Sequence, residues 1–397
     1  MHRVACKLAY STCLISNNIR QYSVIVKVVL AIIKRIPILI TMPLSLLWGM
    51  VVGIRSMLFA CGVYKQTSFK LPVICVGNLA VGGTGKTPHV EYLLKMLHAE
   101  GYRVAMLSRG YGRKTKGYVL ANAQTTAREI GDEPYQVLQN CPFAIVAVCE
   151  KRVIGIQQLL KDHSEVDVIV LDDAYQHRYV KAGLNVLLTD SHCLYTQDHL
   201  LPWGRLREPA VAAQRAQVVV VTKCEGSKRP TLKVAPHQHL YYSEIVYAPL
   251  QPLRVPSASA EALNVGVTTS NALLGKHAKV LLIAAIANPQ PLVNHLRAQG
   301  AEVVLAEFRD HHNFQAVDAQ RISRLWSEHA CTLAVTTQKD QERLIAIHEL
   351  LPQTLTENMV VQPITVKLSA ANNEDINTFN QTILHYVRTN QRNCSVD

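Results

Sequence analysis

From Leu71 onward, short runs rich in Val, Ile and Leu alternate with stretches of mixed apolar and polar character. This is the pattern of a parallel sheet covered by helices on both faces. Val73–Val76, Val104–Leu107, Phe143–Val148, Val166–Leu171, Asn185–Leu188 and Val218–Val221 predict strands, and Pro88–Ala99 and Lys151–Lys161 predict helices between them. From about Ala248 to Lys276 the periodicity fades and Ala, Ser, Pro and Thr accumulate, which predicts a long loop or linker. Alternation then restarts: strands at Val280–Ile286, Glu302–Phe308 and Thr332–Thr336, helices at Pro291–Ala298 and Val317–Glu328. The expected organisation is a basic, apolar segment over 1–65, an α/β domain over 66–247, a linker over 248–278 and a smaller α/β domain over 279–397.

The N-terminal segment follows a different rule. Ile36–Ile54 runs without a charge between Arg35 and Arg55, long enough to cross a hydrocarbon core of about 30 Å. A membrane-spanning helix is the first expectation. An amphipathic helix on anionic lipid, extended by the apolar stretch Val24–Ile33, is the second, and a targeting segment the third. Charge sharpens the picture: the formal net charge is +12, and the first acidic residue is Glu91. Arg3, Lys7, Arg20, Lys27, Lys34, Arg35, Arg55, Lys65 and Lys70 all precede it. A basic protein needs an anionic partner. Because the excess precedes the folded domains, a membrane surface fits better than nucleic acid. The ten cysteines form no C-x-x-C pair, so neither a disulfide framework nor a zinc site is expected, and the globular part suits a reducing cytosol.

The strongest chemical signal is the strand Val73–Val76 leading into Gly77-Asn-Leu-Ala-Val-Gly-Gly-Thr-Gly-Lys-Thr-Pro88. A strand, a glycine-rich turn and a helix opening on Lys-Thr make a P-loop. Backbone N–H groups of Ala80, Val81, Gly82, Gly83, Thr84 and Gly85 would wrap phosphate oxygens. Lys86 would neutralise the β- and γ-phosphates, and the Thr87 hydroxyl would ligate Mg²⁺. Such proteins need a second carboxylate at the end of a neighbouring strand, and Val168-Ile-Val-Leu-Asp172 offers Asp172. Asp173, Gln176, His177 and Arg178 crowd the turn beyond it. The alternative is a nucleotide-switched GTPase or ATPase of metallochaperone or partitioning type; Val81 stands where the partitioning ATPases carry a lysine, which weakens it. Thr222-Lys-Cys-Glu225 ends one carbon longer than a guanine-reading pattern and leaves the base undecided.

Further clusters are Leu107-Ser-Arg-Gly-Tyr-Gly-Arg-Lys114, with arginines suited to an anion; Gly131-Asp-Glu-Pro134, where a helix would begin; and Leu201 to Pro209. Together with Pro43-Leu-Ser-Leu-Leu-Trp-Gly49, Leu171-Asp-Asp-Ala-Tyr-Gln-His-Arg178, Asp310-His-His312 and Thr336-Thr-Gln-Lys-Asp340, they give the chain a specific likeness. It resembles the tetraacyldisaccharide 4′-kinases from about Pro43 to Leu368. The resemblance implies ATP as donor and the 4′-hydroxyl of an acylated disaccharide 1-phosphate, a lipid A precursor, as acceptor. It implies action at the cytosolic face of a bacterial inner membrane, with the anionic surface as a partner. Carried over by motif, Asp132 and His311 become the pair that activates the sugar hydroxyl, beside Lys86. Glu133 joins Asp172 and Thr87 as a magnesium ligand, and Asn78, Arg109, Arg152, Asp173, Gln176, His177, Arg207 and Glu208 face the substrate. Ala174 departs from a usual glycine, and Ala285-Ile-Ala-Asn-Pro289 lacks the glycines common in its turn.

Overall fold

The computed structural model describes residues 40–226, 229–253, 278–370 and 377–390. The stretch Val24–Ile33, the start of the charge-free run and nearly all of the expected linker lie outside these residues. The first described element is α1 (Ile40–Ala60), apolar and mostly exposed. Then follow β1 (Val73–Asn78), α2 (Lys86–Ala99), β2 (Val104–Ser108), β3 (Val119–Leu120), α3 (Ala127–Ile130), α4 (Asp132–Asn140), β4 (Ile145–Val148), α5 (Arg152–Asp162), β5 (Val168–Asp172), β6 (Leu184–Asp190), β7 (Val218–Thr222) and β8 (His239–Tyr247).

These strands and β14 (Ile364–Ala370) form a nine-stranded sheet of order β14-β8-β7-β6-β1-β5-β2-β4-β3, parallel except for the antiparallel strand at each edge. β1, β2, β5 and β7 are buried along their whole length, which explains their unbroken Val/Ile/Leu character. Alternate side chains feed separate cores. Cys75, Leu107, Ile169 and Val219 pack on one face, and Ile74, Met106, Val170 and Val220 on the other. β1 lies between β5 and β6, so the P-loop opens at the sheet centre, with the end of β5 beside it.

The second sheet, β11-β10-β12-β13-β9, is built from β9 (Gln251–Pro252), β10 (Lys279–Ala284), α6 (Gln290–Ala298), β11 (Glu302–Glu307), α7 (Ala316–Glu328), β12 (Leu333–Thr337), α8 (Gln338–Ile345), α9 (Gln353–Thr356) and β13 (Met359–Gln362). The expectation that 279–397 forms one smaller unit needs correcting. β14 (Ile364–Ala370) returns to pair with β8, and α10 (Asn377–Thr389) packs Phe379, Ile383 and Val387 into the core that also holds α2. The linker expectation changes at its near end, where Gln251–Pro252 forms β9 against β13. The physical reason is edge coverage. β8 would otherwise present an unpaired edge, and β14 closes it.

Candidate active site

The P-loop begins where β1 ends. Its helix opens on Gly85, whose φ of 80° suits a residue without a side chain, as does the 109° of Gly82. Val81 donates its N–H to Arg205 O at 2.7 Å and Arg207 donates to Leu79 O at 2.7 Å, so the segment before Pro209 runs alongside the loop and holds its entry. Asn78 Nδ2 donates to Thr84 Oγ1 at 2.9 Å across the loop. Gln176 Nε2 donates to Asn78 O at 2.8 Å.

Charged groups converge at this point. Lys86 Nζ lies 3.8 Å from Asp173 Oδ1, and Arg207 NH1 donates to both Asp173 oxygens at 3.2 Å and to Gln176 Oε1 at 3.3 Å. Asp172, 1% exposed, accepts from Ser108 Oγ at 3.2 Å through Oδ2, while Oδ1 has no hydrogen-bond partner. Burial, then the charges of Glu133 and Asp173, push its carboxyl up to about 7. A buried carboxylate with an orphaned oxygen and acidic neighbours wants a cation. Residues that could hold one are Asp172 and Glu133, through their carboxylates, and Thr87, through its hydroxyl. These are hard oxygens that suit Mg²⁺, which keeps several waters and needs few protein ligands. Among the described residues no group of three or more His, Cys, Asp or Glu is arranged to hold a metal ion.

α4 begins at Asp132, where the sequence predicts a helix start. Asp132 Oδ2 lies 3.2 Å from His311 Nδ1 and 3.7 Å from Arg343 Nε. The fold therefore brings the two members of the expected pair together from different sheets. Burial alone would raise the Asp132 carboxyl, but His311, Arg343 and Lys339 hold it below the usual aspartate value. It is ionised and can only accept, so the hydrogen in this contact belongs to His311 Nδ1. Glu133 lies 3.8 Å from Lys339 Nζ.

The arginines divide by role. Arg152, at the start of α5, is 2% exposed and donates NH1 to Cys149 O at 2.9 Å and Glu150 O at 3.1 Å, leaving Nε without a partner. Its backbone N–H donates to His177 Nε2 at 3.3 Å. Burial, then the charges of Arg152, Arg55 and Arg109, lower His177 to about 4, so it is neutral at pH 7. Arg109 is exposed, whereas the Arg113 side chain is buried and donates NH2 to Glu150 and to Gly117 O, each at 2.6 Å. Glu208 is also turned inward. It is 2% exposed and paired with Arg215, whose guanidinium lies over Tyr175.

Sequence reasoning missed Arg343, His89 and Arg55. Arg343 stands four residues after Lys339 on α8, a spacing that puts both cations on one helix face, and that was its only local sign.

A sequence profile described as tetraacyldisaccharide-1-P 4′-kinase matches residues 38–381. A protein from Bacteroides thetaiotaomicron described as tetraacyldisaccharide 4′-kinase is 45% identical over 367 residues, covering 89% of this chain and 94% of its own length. One from Flavobacterium johnsoniae with the same description is 39% identical over 359 residues, covering 88% and 97%. The crystal structure of LpxK from Aquifex aeolicus in complex with ATP is 27% identical, with a TM-score of 0.67, and the match covers 87% of this chain and 98% of that one.

Proposed function

The chain belongs to the tetraacyldisaccharide-1-P 4′-kinase family, and we propose from that premise how its residues move the γ-phosphate of ATP onto the 4′-hydroxyl of a tetraacyldisaccharide 1-phosphate in lipid A biosynthesis. The nucleotide-switch alternative falls away with the family assignment.

Phosphoryl transfer asks the protein mainly for positioning and charge neutralisation. The P-loop N–H groups of Ala80, Gly82, Gly83 and Gly85 cradle the phosphates, whereas those of Val81 and Thr84 are given to Arg205 O and Gly82 O, and Lys86 trades its pairing with Asp173 for the β- and γ-phosphates. Thr87, Asp172 and Glu133 would hold Mg²⁺, which when bound offsets negative charge on the phosphate oxygens. Arg109, Arg152, His177 and Gln176 form a basic, hydrogen-bonding wall on the acceptor side. Asn78 and Arg207 act one step behind, by fixing the loop and Asp173, while Glu208 holds Arg215. Asp132 accepts the hydroxyl proton. His311 and Arg343 both approach its Oδ2, which leaves Oδ1 for the incoming hydroxyl while His311 steadies the charge. The observation that carries this reading is the Asp132–His311 contact, which joins the two sheets beside the P-loop.

α1 supports a place on the membrane surface. Ser45, Val52 and Phe59 are buried against the body, and Arg55 NH2 donates to Gln176 O at 2.8 Å. A helix fastened from Ser45 to Phe59 suits lying in the interface with its outer face in lipid rather than a free-standing span. The catalytic sheets then face the cytoplasm, where ATP is found.

The test is transfer from γ-labelled ATP to purified acylated disaccharide 1-phosphate in detergent, with Lys86→Ala and His311→Ala beside the wild type. Labelled lipid from the wild type alone is expected. Slow nucleotide hydrolysis with no labelled lipid would return the reading to a switch protein.

A further inference from the structure

We propose that Arg343 is a positioning residue for phosphoryl transfer, clamping the Asp132 carboxylate and the His311 loop into one unit across the two sheets. The proposal rests on the reading of Asp132 and His311 as the proton-accepting pair.

Arg343 lies on α8 and its side chain is only 8% exposed. Its guanidinium reaches three ways. NH1 donates to His312 O at 3.1 Å, NH2 donates to Lys339 O at 3.0 Å and pairs with Asp340 Oδ1 at 3.2 Å, and Nε faces Asp132 Oδ2 at 3.7 Å. Nε has no hydrogen-bond partner, a buried donor aimed at the carboxylate and stopped short of it. A small closure of α8 on α4 completes that bond. Asp340, fully buried, carries the second half of the clamp. It accepts from Ala285 N at 3.0 Å, and Ala285 O accepts from His311 N at 3.1 Å. His311 sits at a φ of 58°, in the left-handed region that few residues other than glycine adopt and that histidine enters more readily than most. Arg343 thus touches the carboxylate directly and the histidine through its neighbours on both sides.

The other charges around Asp132 are Glu133 on its own helix, Lys339 and Glu342 on α8, and Asp310 and His311 on the loop.

The experiment compares kcat, KM and melting temperature of Arg343→Gln and Arg343→Lys with the wild type, alongside Asp132→Asn and His311→Ala. For Arg343→Gln, kcat is expected to fall on the order of 10- to 100-fold with KM for ATP and lipid nearly unchanged. Arg343→Lys should restore much of that kcat by keeping a cation beside Asp132. If Arg343→Gln keeps the wild-type kcat, or if it loses kcat and melting temperature together and Arg343→Lys does no better, the clamp is wrong. If Asp132→Asn and His311→Ala turn over normally, the pair itself is wrong, whatever Arg343 does.

Discussion

His89, in the first turn of α2, shows how a single side chain ties the phosphate loop to the rest of the sheet. Its Nδ1 lies 2.7 Å from Gly85 O, and its Nε2 lies 2.9 Å from Ser243 Oγ on β8. A carbonyl can only accept, so the ring hydrogen sits on Nδ1 and the Ser243 hydroxyl donates to Nε2. Burial lowers the ring from the ordinary histidine value to about 4, against a weaker opposing pull from the Gly85 carbonyl. As pH falls from about 6.5 to about 4, the unfolded chain takes up a proton that the folded protein refuses. Stability therefore declines across that window, by up to roughly 3 kcal/mol from this group. His89→Asn keeps a donor for Gly85 and cannot titrate, so its melting temperature should fall less steeply than the wild type over the same pH range. Parallel slopes would mean that the native ring accepts its proton after all. The P-loop was legible because its chemistry is contiguous in the chain. His89 was not, since its meaning depends on Ser243, 154 residues away, and a lone histidine on a helix reads as core. Arg343 was hidden for the same reason.

At the scale of an element, α1 was legible as apolar but not as attached. Its inward positions, Ser45, Gly49, Val52, Ser56 and Phe59, recur at four- and three-residue steps, a narrow seam. Gly49 matters there, because a Cβ would lie 2.9 Å from Leu200 Cδ1. Ser45 Oγ donates to Leu200 O at 2.9 Å and accepts from Trp203 N at 2.9 Å, and Trp48 Nε1 donates to Arg207 O at 3.2 Å. The seam therefore grips the segment that holds the P-loop entry, while Leu46, Leu47 and Met50 point outward. The two faces should separate in experiment. Leu46→Glu with Leu47→Glu removes apolar area and adds repulsion from anionic lipid. Binding to phosphatidylglycerol vesicles is expected to fall about tenfold or more in a sedimentation assay. Ser45→Ala should sediment as the wild type does but turn over more slowly, since only the inner face changes. If the charged pair sediments normally, α1 is not the lipid contact.

For the whole molecule, the alternation of strands and helices gave the two α/β units, but composition could not reveal that the chain leaves the first sheet after β8 and comes back to it as β14. The return is encoded in pairing, which the period of a strand does not name. Ile364 pairs with Tyr247, and Ala248 N donates to Pro363 O at 3.0 Å, so the outgoing and returning strands cross between units side by side. α10 then covers the core over α2, and Tyr386 OH bonds to both N and O of Val73 at 3.1 and 3.2 Å, fastening the far C-terminal helix to the P-loop strand. A chain ending at Pro363 retains every P-loop residue yet leaves the β8 edge and the apolar surface beneath α10 open. It should be poorly soluble and melt without cooperativity. By contrast, replacing residues 249–362 with an Asn-Gly turn joins β8 and β14 as a hairpin at a point where they are already paired. That shortened protein should melt cooperatively and bind ATP in calorimetry, but transfer no phosphate, because His311 and Arg343 are gone and Asp132 has lost its partners. Were the chain ending at Pro363 as stable as the full protein, the C-terminal return would be an ornament on a self-sufficient P-loop unit; the buried Phe379, Ile383 and Val387 argue that it is part of that unit's core.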